Sequence, residues 1–323
     1  MLQSTLEWQK NAEAFDLLTS EPAVTILMAV YEGCDHLEEQ IDSFAEQTHP
    51  NWRLIASVEG RDDGGRALME DHPESWRIAS IDGPGRGCAA NFLNLMQEVR
   101  PEGYWAFSDQ DDVWLRHKLT RALSKFDGLD PRIPAMYHSR SWVTDENLKN
   151  HRVSPMRRKP PGFSNAVVQN IAGGNTIVLN EAAARLAHAA SFEAGDVPVH
   201  DWWLYQIITG AGGRVMHDPA PGLLYRQHDN NLIGANDSWR ARWKRLKMVF
   251  EGTYQSWLDD NIDTLSRSAH RFTPENRAVL ETIAKARNAP LVRRILMLKK
   301  AGIYRQTAFG SAVMWFSVLI GKF

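Results

Sequence analysis

Residues 24–30 read VTILMAV, a short run of almost entirely apolar residues. A strand that is apolar on both sides is typical of a parallel sheet with helices packed on each face. Residues 35–47 follow with apolar side chains at helical spacing, which predicts a helix lying on that strand. The run therefore predicts an α/β fold built on a mostly parallel, mixed sheet flanked by helices.

Alternating strands and helices continue to about residue 234. Further strands are predicted at residues 53–58, 77–81, 104–108, 135–143 and 175–179, and helices at residues 87–99, 118–126, 181–190 and 199–209. Later helical patterns occupy residues 239–250, 274–287 and 291–300. We therefore predict an N-terminal helical segment at residues 1–21, a catalytic domain at residues 22–234 and a basic helical extension at residues 235–323.

Composition narrows the class of protein. The net charge of −2 gives no reason to expect a nucleic-acid partner. Cys34 and Cys88 are the only cysteines, which provides no disulfide framework and favours a reducing compartment. Residues 1–21 lack the basic start and apolar run of a signal peptide, and no apolar stretch reaches the ~20 residues that span a bilayer. We therefore expect a cytoplasmic protein.

Polar side chains follow four of the predicted strands. They are Tyr31 and Glu32 after the first strand, Glu59 after the second, Asp82 after the third, and residues 108–112 (SDQDD) after the fourth. In open α/β sheets, ligands bind outside the carboxyl ends of the strands. These side chains are therefore expected to line one crevice.

The SDQDD stretch is the strongest chemical signal in the sequence. Asp109 and Asp111 are two residues apart, so an extended backbone points both carboxylates to the same side. Two hard oxygen ligands suit Mg²⁺ or Mn²⁺ bridging a diphosphate. The alternative is that these aspartates cap a helix that begins near residue 115.

Six motifs in a fixed order resemble family 2 glycosyltransferases of the GT-A fold. They are VTILMAVYEG, EQTHPNWRL, SDQDDVW, GGNTIVLN, HDWW and YRQH, and the resemblance runs from about residue 22 to residue 234. Within that family the pattern is most similar to the bacterial rhamnosyltransferase-like group. The resemblance implies inverting transfer of a sugar from a nucleotide-diphosphate donor, usually with a divalent metal.

The resemblance also assigns donor-binding roles. Asp109 and Asp111 match the family's Asp-x-Asp, which contacts ribose and the metal diphosphate, and Asp112 would support them. Glu59 matches the acidic residue that contacts the base or ribose. Val58 departs from the acidic residue usually found before it.

Asp201, in HDWW, matches the family's catalytic base. Inverting transfer needs a carboxylate to take the proton of the acceptor hydroxyl. Trp202 is expected to contact the acceptor, because aromatic rings pack on sugar C–H faces, and Gly174 matches residues lining the sugar and acceptor space. The alternatives are a helix N-cap for Asp201, core packing for the tryptophans and a tight turn at Gly174.

Other residues complete the predicted site. His228 is predicted as a third metal ligand and Arg226 as a phosphate clamp, because their segment follows the catalytic motif and could fold over the diphosphate. Asp82 and Asn91 are expected to border the nucleotide. A lone histidine is also often structural.

The C-terminal extension carries an excess of positive charge. Residues 236–323 contain 16 Lys and Arg against 7 Asp and Glu, and residues 308–320 are largely apolar. This pattern favours peripheral attachment to the inner face of a bacterial plasma membrane, close to a glycan or lipid-linked acceptor. The alternative is a helical bundle packed on the catalytic domain, with a homodimer as a further possibility.

Two other functions compete with the glycosyltransferase. A nucleotidyltransferase would share the acidic sheet edge but needs a Gly-rich basic loop after the first strand, where this chain has YEGCDH. A non-catalytic nucleotide-sugar-binding relative would explain Val58. We expect a dTDP- or UDP-linked donor, and dTDP-L-rhamnose first, by resemblance alone.

Overall fold

The computed structural model describes residues 21–61, 63–227 and 253–323. Its strands are β1 Val24–Tyr31, β2 Trp52–Glu59, β3 Ile78–Asp82, β4 Tyr104–Ser108, β5 Val113–Trp114, β6 Ala135–Thr144, β7 Arg152–Val153, β8 Ile177–Leu179 and β9 Arg214–Arg226. Within the described residues they form one nine-stranded sheet in the order β3-β2-β1-β4-β8-β6-β9-β5, with β7 paired to β6. The predicted mixed sheet is confirmed.

Strand β1 is buried on both faces, as its sequence predicts. Ile26, Met28 and Val30 point into one apolar cluster together with Leu37 and other residues of the following helix. Leu27 points to the opposite face and joins a second, larger cluster. Both clusters exist because successive side chains of a strand face opposite sides of the sheet.

Strands β3, β2, β1 and β4 are parallel and end at one edge of the sheet. The pairing register sets Tyr31 beside Glu59 and Val58 beside Asp82. On the other side of β1, Met28 pairs with Ser108, the residue that precedes SDQDD. The predicted meeting of polar side chains at the carboxyl ends of these strands therefore follows from the register.

The other half of the sheet was only partly predicted. Strand β8 runs antiparallel to both β4 and β6, whereas β9 runs parallel to β6. No strand was predicted over β9, which contains Pro219, Pro221 and Gly222. Proline cannot donate a ladder hydrogen bond, and the pairing of β6 with β9 shifts register after Ser139 and again after Arg140.

Helices cover both faces of the sheet. They are α1 Cys34–Ala45, α2 Gly65–Asp71, α3 Cys88–Glu98, α4 Lys118–Ser124, α5 Phe163–Ala166, α6 Glu181–Ala194, α7 His200–Gly210, α8 Thr253–Arg267, α9 Pro274–Arg287, α10 Leu291–Lys300 and α11 Ala308–Leu319. Leu258, Ile283 and Val318, from three of the last four helices, share an apolar cluster with Trp105 of β4. The C-terminal helices therefore pack on the core of the sheet, as the bundle alternative predicts. None of the described helices is long and apolar enough to cross a membrane.

Some predicted features lie outside the described residues. They are residues 1–20 of the N-terminal segment, the domain boundary at residue 234, the helix at residues 239–250, and His228.

Helix α1 presents buried polar side chains that hold the acidic stretch in place. The side-chain oxygen of Gln40 accepts a hydrogen bond from the backbone N–H of Asp112 at 2.9 Å. The hydroxyl of Ser43 accepts one from the N–H of Trp114 at 3.0 Å. Both side chains are buried, so these bonds fix the backbone that follows β4 relative to α1.

We predict that Gln40→Leu lowers the free energy of unfolding by about 1–3 kcal/mol, because the buried N–H of Asp112 loses its acceptor. Urea unfolding measures this change. Glu38→Leu places the same residue on the exposed side of α1 and should change stability by less than ~0.5 kcal/mol. Equal effects of the two substitutions would contradict the role of Gln40.

Candidate functional site

The SDQDD stretch links the end of β4 to the short strand β5. Helix α4 begins only at Lys118, and its N-cap residue, His117, makes no capping hydrogen bond through its side chain. The helix-cap interpretation of SDQDD is therefore wrong. Asp109 and Asp111 are half-buried, whereas Asp112 is fully buried.

Asp112 is held by hydrogen bonds to both carboxylate oxygens. The side-chain amide of Asn175 donates to Oδ2 at 2.6 Å, and the backbone N–H of Arg226 donates to Oδ1 at 3.2 Å. Burial, followed by the charges of Asp111 and Asp109, raises the pKa of Asp112 well above its ordinary value. The geometry agrees with the predicted supporting role of Asp112.

Lys118 supplies a buried positive charge that the sequence analysis did not single out. Its side chain is 1% exposed, and its ammonium group donates to the carbonyl oxygen of Asn175 at 2.6 Å. The same group lies 3.1 Å from the centroid of the Trp114 ring. Burial lowers the pKa of Lys118, whereas the charges of Asp112 and Asp109 counteract that effect. Its position as the first residue of a helix after an acidic stretch was the available signal.

Gln110 ties the acidic stretch to the end of β1. Its side chain accepts a hydrogen bond from the N–H of Tyr31 at 2.7 Å and donates to the carbonyl of Tyr31 at 3.0 Å. Glu32 follows with φ of 43°, a left-handed conformation that turns the chain sharply. The side chain of Tyr31 is 61% exposed at this edge, where it is available to stack on a ligand.

The predicted nucleotide side of the edge is built around Glu59, which is 6% exposed. Its Oε1 accepts a hydrogen bond at 3.1 Å from the backbone N–H of Arg86, which lies in the glycine-rich stretch at residues 83–87 (GPGRG). Asn91 donates to the carbonyl of Ser57 at 3.0 Å, and its own side-chain oxygen is buried without a partner in the described chain. Asp82 lies further out, exposed and paired with Arg66 at 2.5 Å.

Asp201 lies in the first turn of α7, which begins at His200 with Val199 as the N-cap residue. The helix-cap interpretation of Asp201 is therefore wrong. The backbone N–H of Gly174 donates to Oδ2 of Asp201 at 3.0 Å, whereas Oδ1 is buried with no hydrogen-bond partner among the described residues. Burial raises the pKa of Asp201 to about 6, and this shift is opposed by the backbone of Trp202, the side chain of Asn170 and the backbone of Gly174.

The predicted base and the Asp-x-Asp pair meet in one place. Burial, together with the negative charges of Asp111 and Asp201, raises the pKa of Asp109 to about 7. The thiol of Cys88, at the start of α3, has its pKa raised by burial and by the charges of four carboxylates, namely Asp109, Asp201, Glu59 and Asp111. Four of the predicted site residues are therefore near enough to the N-terminus of α3 for their charges to act on Cys88.

The two predicted acceptor residues make structural contacts. A Cβ atom on Gly174 would lie 2.6 Å from Nε2 of His200, so only glycine allows this approach to α7. Trp202 is 4% exposed, donates from its indole to the carbonyl of Ala166 at 2.6 Å and stacks on Tyr254. The contacts of Gly174 indicate that this glycine positions Asp201. The contacts of Trp202 indicate that its side chain packs in the core.

Arg226 is 4% exposed, and its guanidinium contacts protein groups. It donates to the carbonyl of Asp111 at 2.9 Å, to the carbonyl of Glu146 and to the carboxylate of Glu39. These bonds favour a role in fixing the acidic stretch over the predicted contact with phosphate. His228, the predicted third metal ligand, is outside the described residues.

The carboxylates of Asp109 and Asp111 are suited to a hard divalent cation that takes few of its ligands from the protein. Among the described residues no group of three His, Cys, Asp or Glu side chains forms a metal site. Asp109 and Asp111 are half-buried carboxylates whose mutual repulsion a cation would relieve. Mg²⁺ commonly uses one or two carboxylates together with phosphate oxygens and water, so the pair is sufficient for such an ion.

The fold is shared with solved structures of other proteins. TarS residues 1–349 from S. aureus, solved in complex with UDP-GlcNAc, superpose with a TM-score of 0.53 over 87% of this chain and 93% of that chain. The sequence identity is 10%, so this similarity concerns the fold alone. The architecture is that of a GT-A glycosyltransferase.

The sequence places the chain within that class. A model described as "Glycosyl transferase family 2" matches residues 25–184, a range that includes all of β1 except Val24, together with SDQDD and Gly174. The chain is a family 2 glycosyltransferase, as its ordered motifs predicted.

Two curated relatives are similar to this chain in sequence, one over most of its length and one over less than half of it. The dTDP-rhamnosyl transferase RfbG of Shigella flexneri is 28% identical over 71% of this chain and 81% of its own length. The glucosyltransferase WfgD of Escherichia coli, named for UDP-Glc and an α-D-GlcNAc-diphosphoundecaprenol, is 25% identical over 42% of this chain and 52% of its own. The longer match is to a protein of the group predicted from the motifs.

We predict that Lys118→Met lowers the free energy of unfolding by about 3–5 kcal/mol, because it leaves buried carboxylates without their cation. Chemical denaturation in EDTA measures the change. Lys125→Met removes an exposed lysine next to the end of the same helix and should be close to neutral. A Lys118 variant as stable as the Lys125 variant would show that the ammonium group does not balance the acidic site.

Proposed function

We propose that the protein is a metal-dependent, inverting glycosyltransferase that moves a sugar from a nucleotide-diphosphate donor to an acceptor hydroxyl. One observation carries the proposal. The carboxylate of Asp201, with its own pKa raised to about 6, is close enough to Asp109 for its negative charge to help raise the pKa of Asp109. A base and a diphosphate-metal site must be adjacent for direct displacement at an anomeric carbon.

On the donor side, Asp109 and Asp111 would hold Mg²⁺ or Mn²⁺, with His228 as the proposed third ligand. A bound ion would supply positive charge next to the leaving diphosphate. Glu59 faces the base or ribose, with Asn91, Asp82, Tyr31 and Glu32 around it. The buried, partnerless oxygen of Asn91 supports this assignment, because a ligand N–H or hydroxyl would satisfy it.

On the acceptor side, Asp201 is the general base. Gly174 holds Oδ2 through its backbone N–H, which leaves the partnerless Oδ1 to take the proton. As the acceptor oxygen forms its bond to the anomeric carbon, the bond from that carbon to the diphosphate breaks on the opposite face. The proton of the hydroxyl ends on Asp201, and the anomeric configuration inverts.

We propose dTDP-L-rhamnose as the donor and a cell-surface glycan or lipid-linked saccharide as the acceptor. The relative named as a dTDP-rhamnosyl transferase supports the donor. The relative named for a diphosphoundecaprenol-linked saccharide supports the acceptor. Val58, beside Asp82 in the register, is the feature that keeps a non-catalytic relative as the second candidate.

Thermal-shift titration tests the donor and the metal together. We expect dTDP-L-rhamnose with Mn²⁺ to raise the melting temperature more than UDP-glucose or GDP-mannose does. EDTA or Asp111→Asn should remove most of the shift, because the diphosphate loses its bridge. Asp127→Asn, on the exposed surface, is the matched control. A shift that survives both EDTA and Asp111→Asn would exclude the metal role.

Asp201→Asn should lower transfer by about 10²–10⁴-fold, because the amide cannot accept the proton. Donor affinity should be nearly unchanged, because the diphosphate is held elsewhere. In the wild type, the carboxylate must be ionised to act, so kcat/KM should rise with pH up to about 6 and level off above it. A variant with full activity, or a profile without that rise, would remove Asp201 from the mechanism.

We also propose that the C-terminal helices attach the enzyme to the inner face of the plasma membrane. Val292 is 73% exposed and Leu296 is 62% exposed on α10, one helical turn apart. The exposed cations Arg293, Lys299 and Lys300 lie on the same helix. Exposed apolar side chains beside cations suit an anionic lipid surface.

Flotation with phosphatidylglycerol vesicles tests this attachment. Val292→Glu/Leu296→Glu should abolish flotation and leave the fold intact, since both side chains are exposed. Lys285→Glu, on α9, makes the same change in net charge at another exposed site and should float like the wild type. Flotation of the double variant at the wild-type level would rule out α10 as the anchor.

A further inference from the structure

A cavity of about 380 Å³ lies next to residues 156–161 and the middle of β9. Three consecutive cations, Arg157, Arg158 and Lys159, line it together with His217. No acidic side chain is among the described residues that form its wall. In a protein with a net charge of −2, this concentration of positive charge singles out the cavity.

Two imidazole rings behind the cations are short of hydrogen bonds. His217 and His138 are paired in the register of β9 and β6, with ring centroids 4.7 Å apart. Both ring nitrogens of His217 and the Nε2 atom of His138 are buried and have no partner among the described residues. His138 is 1% exposed. Buried polar atoms of this kind ordinarily have partners, so these nitrogens favour a ligand in the cavity.

The carboxylate next to His217 in the sequence, that of Asp218, is bound by other side chains. Asp218 follows His217 on β9, and its Oδ2 accepts a hydrogen bond from the hydroxyl of Tyr137 at 2.8 Å. The same carboxylate is paired with Arg121. Its charge is therefore satisfied by other side chains and does not cancel that of the cavity.

The basic wall is held rigidly by the C-terminal region. The side chain of Gln306 accepts from the N–H of Lys159 at 2.9 Å and donates to its carbonyl at 3.1 Å. The ammonium of Lys159 donates to the carbonyl of Arg305 at 2.7 Å, and Nε of Arg157 donates to the carbonyl of Ile171 at 3.0 Å. Arg158 is exposed and makes no such bond to the described residues. A preorganised wall with one uncommitted guanidinium is suited to binding an anion.

The cavity is close to the proposed base. Ile171 lines it, and Gly174, three residues later, donates its N–H to Asp201. Three residues span at most ~11 Å, so a group in the cavity is within reach of a saccharide whose hydroxyl meets Asp201. Neither Asp109 nor Asp111, the proposed metal ligands, is among the residues that line the cavity.

We propose that this cavity binds a phosphate or diphosphate ester of the acceptor, with Arg158 and His217 contacting the phosphate oxygens. The inference rests on the proposed function, because it assigns the anion to the acceptor. The guanidinium binds phosphate oxygens in a fork, and His217 donates from one ring nitrogen. Arg157 and Lys159 add charge while they hold the wall together.

Isothermal titration of the full chain with sodium pyrophosphate in EDTA tests the site. EDTA keeps the acidic pair free of metal, so that pair repels the anion. We expect one saturable site in the wild type. Arg158→Gln, on the exposed surface, should weaken binding by about tenfold, and Arg158→Gln/His217→Gln by more. Lys285→Gln/His270→Gln removes a cation and an imidazole from exposed positions elsewhere and should bind like the wild type.

Competition against bound pyrophosphate identifies which kind of molecule supplies the phosphate group, a soluble diphosphate ester or a lipid surface. Farnesyl diphosphate, a soluble ester of diphosphate, should displace pyrophosphate, whereas phosphatidylglycerol vesicles should not. The proposal is overturned if wild-type binding is not saturable, if Arg158→Gln binds normally, if farnesyl diphosphate fails to compete or if the vesicles compete. No sugar donor enters these measurements. Absence of transfer with every donor would therefore overturn the proposed function and leave pyrophosphate binding intact.

Discussion

A carboxylate removed from water needs donors, and those of Asp112 come from distant parts of the chain. Asn175 and Arg226 bind its two oxygens, while its own N–H binds Gln40 of α1. These bonds join the parallel half of the sheet to β9 and to the turn before β8. Because Asp112 is fixed, Asp109 and Asp111 are presented at the edge with little freedom. The remaining site depends on this arrangement.

The site concentrates negative charge that the protein itself offsets only in part. Lys118 is the buried cation near Asp109 and Asp112, and the pKa values of both carboxyl groups are nevertheless raised. A fold optimised for stability alone would not keep this cluster. Ligand-binding sites commonly retain such local conflicts because the ligand resolves them. The arrangement agrees with a donor that brings both diphosphate and metal.

The sequence predicted those features that depend on local pattern. The run at residues 24–30 predicted β1 and its two buried faces, and the strand-end residues predicted the edge that carries Glu59 and SDQDD. Strand β9 was not predicted, because its prolines interrupt the strand pattern and its pairing with β6 and β5 is not visible in the local sequence. Lys118 and the internal bonds of Arg226 depend on contacts across many residues, which no local pattern records.

Residues 301–306 contact a segment that lies much earlier in the chain. These contacts determine which parts of the enzyme can fold first during its synthesis. Ala301, Tyr304, Arg305 and Gln306 bind the segment at residues 159–169, across 137–147 residues of chain. The strands β1 to β4 can pair as soon as they leave the ribosome, since domains form from the N-terminus first. The wall formed by residues 156–161 must wait until residues 301–306 have emerged. A nascent chain would thus acquire its nucleotide-side edge well before its acceptor side, and premature termination would produce a protein with the first and without the second.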